Sequence, residues 1–203
     1  MNIPFQQTLN YTPPGTQRKI AVVLHLTLGA YRGAVEWLCN ANRPNRTSAH
    51  FVIGREQGEI VQLVKVGDIA WHAGIISNPN ARAKRIMLKN LDGSWVNPNQ
   101  YTIGIELAAG YDVDQDGMVE PNENNITEWQ YQALTDLVKS FAGNLDISFV
   151  LDEKNIIIHG DIADYKEKPE IVRTNLLARL LGSQTLAGKD AIKSQIISLL
   201  NQL

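Results

Sequence analysis

Two histidines and a glutamate occupy positions in this 203-residue chain where the surrounding pattern calls for apolar side chains. His25 stands near the end of KIAVVLHL (19–26) and His159 near the end of NIIIHG (155–160), two apolar, β-branched runs suited to strands buried on both faces. Small or polar residues follow each, so in an open α/β sheet both imidazoles fall at the carboxyl edge, where ligands bind. Glu106 interrupts YTIGIELA (101–108), and a carboxylate inside an apolar strand is unfavourable unless it has a partner or a task. Two imidazoles for a divalent ion, with one carboxylate to take a proton from water, form the minimum apparatus of a zinc hydrolase. The competing reading is a pair of core histidines bonded to backbone.

A second cluster lies at YDVDQDGMVEPNE (111–123), where five of thirteen residues are acidic. Counted from Asp112 as position 1, Asp114 and Asp116 fall at 3 and 5, Gly117 at 6, Met118 at 7, Glu120 at 9 and Glu123 at 12, the full pattern of a calcium loop. In that pattern three short carboxylates converge, Gly117 allows the sharp turn, the Met118 carbonyl adds an oxygen, Glu120 acts through water and Glu123 closes the shell with two oxygens. Val119 points into the protein. A solvated acidic loop is the alternative. The helix that ordinarily precedes such a loop is missing, so the sequence predicts a single structural Ca2+ staple between the Glu106 strand and the helix that follows.

These side chains have to be held by something. The runs 19–26, 49–54, 59–64, 101–108 and 155–160 predict strands, with Gly58 turning a hairpin between the second and third. Along 101–108 the alternation sends Ile103, Ile105 and Leu107 to one face and Gly104 and Glu106 to the other. Residues 33–41 predict a helix that buries Val35, Leu38 and Cys39. TEWQ (127–130) has the form of a capping box, and Trp129, Leu134, Leu137, Val138 and Phe141 continue a helical stripe that Gly143 is placed to end. Residues 75–100 read as a polar excursion with a short helix and a basic cluster at Arg82, Lys84, Arg85 and Lys89. Strands interleaved with helices indicate an α/β fold, a mixed central β-sheet flanked by helices. Residues 1–182 form one domain, and 183–203 a C-terminal amphipathic helix that packs on it.

With 44% hydrophobic and 20% charged residues the chain can bury a sizeable core, and 19 basic against 21 acidic side chains give no electrostatic reason to bind nucleic acid. One cysteine excludes an internal disulfide. No charged leader followed by an apolar run opens the sequence, and no apolar run of about eighteen residues occurs in it. The expectation is a monomer made in the cytoplasm without a signal peptide and without stable membrane association.

VVLHLT (22–27), SAHFVIG (48–54), GEIVQLVKVGDIAWHAG (58–74), YTIGIELA (101–108), TEWQYQAL (127–134) and IIIHGDIA (156–163) together resemble the type 2 N-acetylmuramoyl-L-alanine amidases, zinc enzymes related to phage endolysins and peptidoglycan recognition proteins. The resemblance spans about residues 20–170. It implies a peptidoglycan groove with catalytic Zn2+ at one end, held by His25 and His159, and hydrolysis of the amide between N-acetylmuramic acid and L-alanine. Glu106 matches the catalytic glutamate, Lys166 the basic residue that stabilises the oxyanion, and Trp71 and His72 the groove lining. It further suggests a phage-type endolysin acting on the bacterial cell wall.

One position departs from the family. Its third ligand, an Asp or Cys, directly precedes a proline, whereas here DYKEKPE (164–170) puts Lys168 before Pro169. An ammonium group has no lone pair to donate. Three outcomes follow: Glu167 takes the place through a one-residue shift, Glu170 reaches back from beyond the proline, or the ion is weak or absent and the domain binds peptidoglycan without cutting it.

Overall fold

The computed structural model describes residues 2–15, 17–110, 112–113, 119–120, 122–142, 144–147, 154–180 and 182. In chain order the elements that position the site are β1 (Tyr11–Thr12), β2 (Ala21–Thr27), α1 (Tyr31–Cys39), β3 (Phe51–Ile53), β4 (Ile60–Gln62), β5 (Ile69–Ala70), α2 (Ala81–Ile86) and β6 (Thr102–Ala108). A short ladder of β7 (Asp112–Val113) and β8 (Val119–Glu120) follows, then α3 (Glu128–Ser140), β9 (Ile156–Ile158) and α4 (His159–Ile162). Residues 170–180 are helical.

The main sheet has five strands in the order β4-β3-β6-β2-β9. Only the β3–β4 hairpin is antiparallel; the other three pairings are parallel. Gly58, at φ +89°, makes the hairpin turn as the sequence predicts, a conformation that a residue with a Cβ rarely adopts. The sheet is therefore mixed and flanked by helices.

Period-two alternation divides the strands between two faces. Val22, Leu24 and Leu26 of β2 join Ile103, Ile105 and Leu107 of β6 in one large core, roofed by α3 through Leu134, Leu137 and Val138 and by Val172, Leu176 and Leu180 of the helical residues 170–180. The opposite face carries two smaller apolar clusters. One joins Val52 and Val61 to Ala34, Val35 and Leu38 of α1; the other joins Val23 and Ile157 to Ala83, Met87 and Ile162. Between these clusters the second face of β2 and β6 is left to His25, Thr102, Gly104 and Glu106.

Local signals explain most of the ends. Thr127 and Gln130 form the reciprocal capping box at the start of α3, and Gln130 Nε2 also donates to Ala108 O at 3.0 Å, tying the helix to the end of β6. Asn80 caps α2 by accepting from the Arg82 and Ala83 amides. Cys39 is only partly buried: at the last turn of α1 it packs against the edge of the cluster that holds Ala34, Val35 and Leu38, and its Sγ lies 3.8 Å from Gln6 Nε2. Asp114, Asp116, Gly117 and Met118 of the acidic loop, Gly143, and the tail 183–203 lie outside the described residues. No helix of the described residues is long and apolar enough to cross a membrane.

Candidate active site

Parallel pairing puts His25 of β2 directly opposite Glu106 of β6, both pointing to the second face. β9 lies on the other side of β2, with Leu24 opposite Ile158, so the next residue, His159, emerges beside His25. The imidazole centroids of His25 and His159 are 4.5 Å apart. His159 begins α4 rather than ending the strand, since Asp161 Oδ2 accepts from Ile158 N at 3.1 Å and turns the chain at once into a helix. Asp161 is buried and also accepts from Arg173 at 2.8 Å and Asn80 Nδ2 at 2.5 Å, so one carboxylate ties β9, the helical residues 170–180 and the cap of α2 together beneath His159.

The third donor is Glu167. Its Oε1 lies 3.1 Å from His25 Nδ1 and 3.1 Å from His159 Nδ1, and the donor atoms of the three residues fall within 4.8 Å of one another. Two imidazoles and a carboxylate at that separation are a donor set able to hold a metal ion. Backbone geometry makes this choice. Gly160 N donates to Glu167 O at 2.9 Å, pinning the returning chain across the first turn of α4 and turning the Glu167 side chain toward the histidines. A Cβ on Gly160 would run into the Lys168 side chain and come within 2.9 Å of Glu167 O. Lys168 is exposed, and Glu170 pairs with Arg173 instead of reaching the imidazoles.

The electrostatics fit a cation that is to be received. Burial, then the neighbouring His159, lowers the His25 pKa to about 4, so the ring is neutral with a lone pair to give. Burial alone would raise the Glu167 carboxyl, but the neighbouring His159 and His25 hold it well below the usual carboxylate range. Glu106 is pushed up to about 8, by burial first and by Glu167 second, with Lys166 working against both.

These residues open on a groove of about 620 Å³ whose walls include Leu28, Trp37, Ser48, Trp71, Glu106 and Lys166. Trp71 lines it as the sequence leads one to expect, held by Nε1 donating to Thr12 Oγ1 at 3.0 Å. His72 is among the lining residues too. It borders the groove but is buried, and both ring nitrogens are engaged inside the protein, with Nδ1 3.1 Å from His25 Nε2 and Nε2 3.3 Å from Thr102 Oγ1. Asn99 Oδ1 accepts from the amides of His72 and Ala73, fixing that corner. Thr102, Asn99, Asp161 and Gly160 were not marked by sequence reasoning. Thr102 shares a strand face with Glu106 at even spacing, which is the one signal that would have pointed to it.

The family profile described as Amidase_2, N-acetylmuramoyl-L-alanine amidase, matches residues 16–171. The chain belongs to this amidase family. Its similarity to N-acetylmuramoyl-L-alanine amidase A of Achromobacter lyticus is 32% identity over 97 residues, 48% of this chain and 41% of the relative, so the match spans about two fifths of that protein's length. Among solved structures, a selenomethionine AmpD derivative superposes with a TM-score of 0.57 at 22% identity, covering 86% of this chain and 94% of the other. The amidase AmiD of E. coli, in complex with the substrate anhydro-N-acetylmuramic acid-L-Ala-D-gamma-Glu-L-Lys, superposes with a TM-score of 0.54 at 23% identity, covering 84% of this chain and 60% of the other. At these identities the two structures establish the amidase fold. The matched region of this amidase-family chain holds His25, Glu106, His159, Lys166 and Glu167.

Proposed function

We propose that the chain is a zinc-dependent N-acetylmuramoyl-L-alanine amidase that hydrolyses the amide between N-acetylmuramic acid and the L-alanine of peptidoglycan. The observation that carries this is the convergence of His25 Nδ1, His159 Nδ1 and Glu167 Oε1 at the end of a groove that also exposes Glu106 and Lys166. His25, His159 and Glu167 would hold the ion, which when bound supplies a Lewis acid for the scissile carbonyl and lowers the pKa of water.

The remaining work falls to this chain's own groups. Glu106, opposite His25, takes a proton from the attacking water and returns it to the departing alanine nitrogen, so that one carboxylate serves as base and then acid. Lys166 brings a positive charge to the groove, where it opposes the negative charge that develops on the carbonyl oxygen; in a site shielded from water such a charge counts for far more than in solution. Trp71 offers an amphipathic wall to the sugar and peptide. Uptake of about one zinc per chain, together with release of L-alanine amino groups from purified peptidoglycan, is the expected result. Glu106→Gln keeps the shape and removes the base, so turnover falls by about 10²–10⁴-fold while peptidoglycan is still bound. A chain that binds peptidoglycan, takes up no zinc and releases no amine would be a non-catalytic relative.

Two finer readings go with this one. The function suits a phage-type endolysin, working on the cell wall as a monomer. The acidic sequence pattern is read as a Ca2+ loop, with Asp112, Asp114, Asp116, the Met118 carbonyl, Glu120 and Glu123 as its oxygen donors. Asp112 pairs with Glu120 across the β7–β8 ladder, which brings the first and ninth loop positions together.

A further inference from the structure

The hydrogen bonds behind His25 fix where its proton sits. Thr102 Oγ1 lies 2.7 Å from Pro98 O, and a carbonyl oxygen can only accept, so the one hydroxyl proton of Thr102 is committed there. Toward His72 Nε2, at 3.3 Å, the same hydroxyl can then only accept, and Nε2 must carry a proton. A neutral imidazole carries one proton, which leaves His72 Nδ1 as a bare acceptor. His25 Nε2, 3.1 Å from it, must therefore be the donor. The lone pair of His25 is left on Nδ1, so at 3.1 Å from Glu167 Oε1 two electron-pair donors face each other with no proton between them, an arrangement that a cation resolves.

We propose that Thr102 and His72 are positioning residues, a two-step relay anchored on the Pro98 carbonyl that sets the tautomer of His25 and presents its Nδ1 lone pair to a metal ion. Turning the ring of His72 would break both bonds, and its surroundings prevent that: Asn99 clamps its backbone, and a Cβ on Gly104 would already lie 2.5 Å from its Cγ, so the ring fills the space above that glycine. The sequence of donors cannot run the other way without taking the Thr102 proton from Pro98 O and leaving that carbonyl with one fewer donor. Outer partners of this kind raise the basicity of a metal-ligating histidine and hold its ring in the required orientation.

The inference rests on the zinc reading above, and its test separates the two. Thr102→Val keeps the shape and deletes the hydroxyl, and Thr102→Ser restores it. Zinc dissociation constants are measured by competition with a chelating dye, and long-range ¹H–¹⁵N spectra of the imidazoles are recorded for the zinc-loaded and EDTA-treated protein. His72 should carry its proton on Nε2 in both states of the parent. Thr102→Val should weaken zinc by about 10–100-fold, with Thr102→Ser retaining the parent affinity. A parent His72 protonated on Nδ1, or a Thr102→Val protein that holds zinc as tightly as the parent, overturns the relay. A parent that takes up no zinc while His72 keeps its Nε2 proton removes the function proposed above and supports the relay as a purely structural device. If Thr102→Val does not fold, the parent spectra decide.

Discussion

Glu167 meets two imidazoles at once, and that is what distinguishes it from Glu170, the carboxylate that begins the helical residues 170–180. Both it and Glu170 are within reach of the site by sequence, one on each side of Lys168 and Pro169, and the amino-acid types do not choose between them. The choice is made by a backbone hydrogen bond, Gly160 N to Glu167 O, and by Arg173, which takes Glu170 for itself. Neither partner stands out in a sequence, because a glycine amide is as common as a residue and the arginine lies in the next element. If Glu167 is a ligand, Glu167→Ala should weaken zinc by more than the about 100-fold that loss of an outer partner produces, whereas Glu170→Ala should leave zinc affinity at the parent value. Chelator competition on the two variants reads this directly; equal losses, or a loss confined to Glu170→Ala, would reassign the third ligand. His25, His159 and Glu106 were legible for the opposite reason. A polar group inside an apolar run must be explained where it stands.

The elements show a similar division between local and distant causes. Alternation in β6, the hairpin turn at Gly58 and the capping box of α3 are encoded within a few residues and appear where the sequence puts them. The abrupt start of α4 at His159 is not local in that sense: it depends on Asp161, which is held from three sides by the Ile158 amide, Asn80 and Arg173. The connection from β6 to α3 combines both kinds of cause. Its acidic pattern is local, but one oxygen of Glu123 accepts from the Ile171 amide at 3.0 Å, so the last position of the loop reaches the start of the helical residues 170–180. A calcium ion there would bind the strand that carries Glu106 to the segment that follows Glu167. Titrating calcium into zinc-loaded protein should then raise the melting temperature, and Asp114→Ala should abolish that rise without changing the zinc content. A melting temperature indifferent to calcium would identify the loop as a solvated acidic turn.

For the whole molecule, the buried titratable groups set opposite limits on stability when no metal is present. His25 is lowered to about 4 and His50 to about 3, in each case by burial before any other cause, and burial holds His72 well below its ordinary value. His50 must stay neutral for a further reason, because its Nδ1 accepts from Gly104 N at 3.0 Å. As pH falls below about 6.5 the unfolded chain protonates these three rings and the folded chain does not until far lower, so the unfolded state binds more protons and stability declines on acidification. Glu106 acts in the other direction. Raised to about 8, it keeps a proton in the folded state that the unfolded chain has released above about 4.5, so its contribution is complete at low pH and is lost as pH rises toward 8. Between about pH 4.5 and 6.5 these three rings oppose Glu106, and between 6.5 and 8, among the described residues with a shift, Glu106 acts alone, since Lys19, lowered by burial to about 8, enters only near and above that value. Each proton of difference changes stability by about 1.4 kcal/mol per pH unit. The EDTA-treated protein should therefore be most stable near pH 6.5, less so at pH 5 and at pH 8, as read by urea unfolding at the three values. Glu106→Gln should flatten the decline toward pH 8 and leave the acid side unchanged, and zinc should flatten it too, because a nearby cation favours the charged carboxylate. Stability that falls steadily from pH 5 to pH 8 would mean that the three histidines are not held neutral, and that the polar strip between the two apolar clusters is open to water.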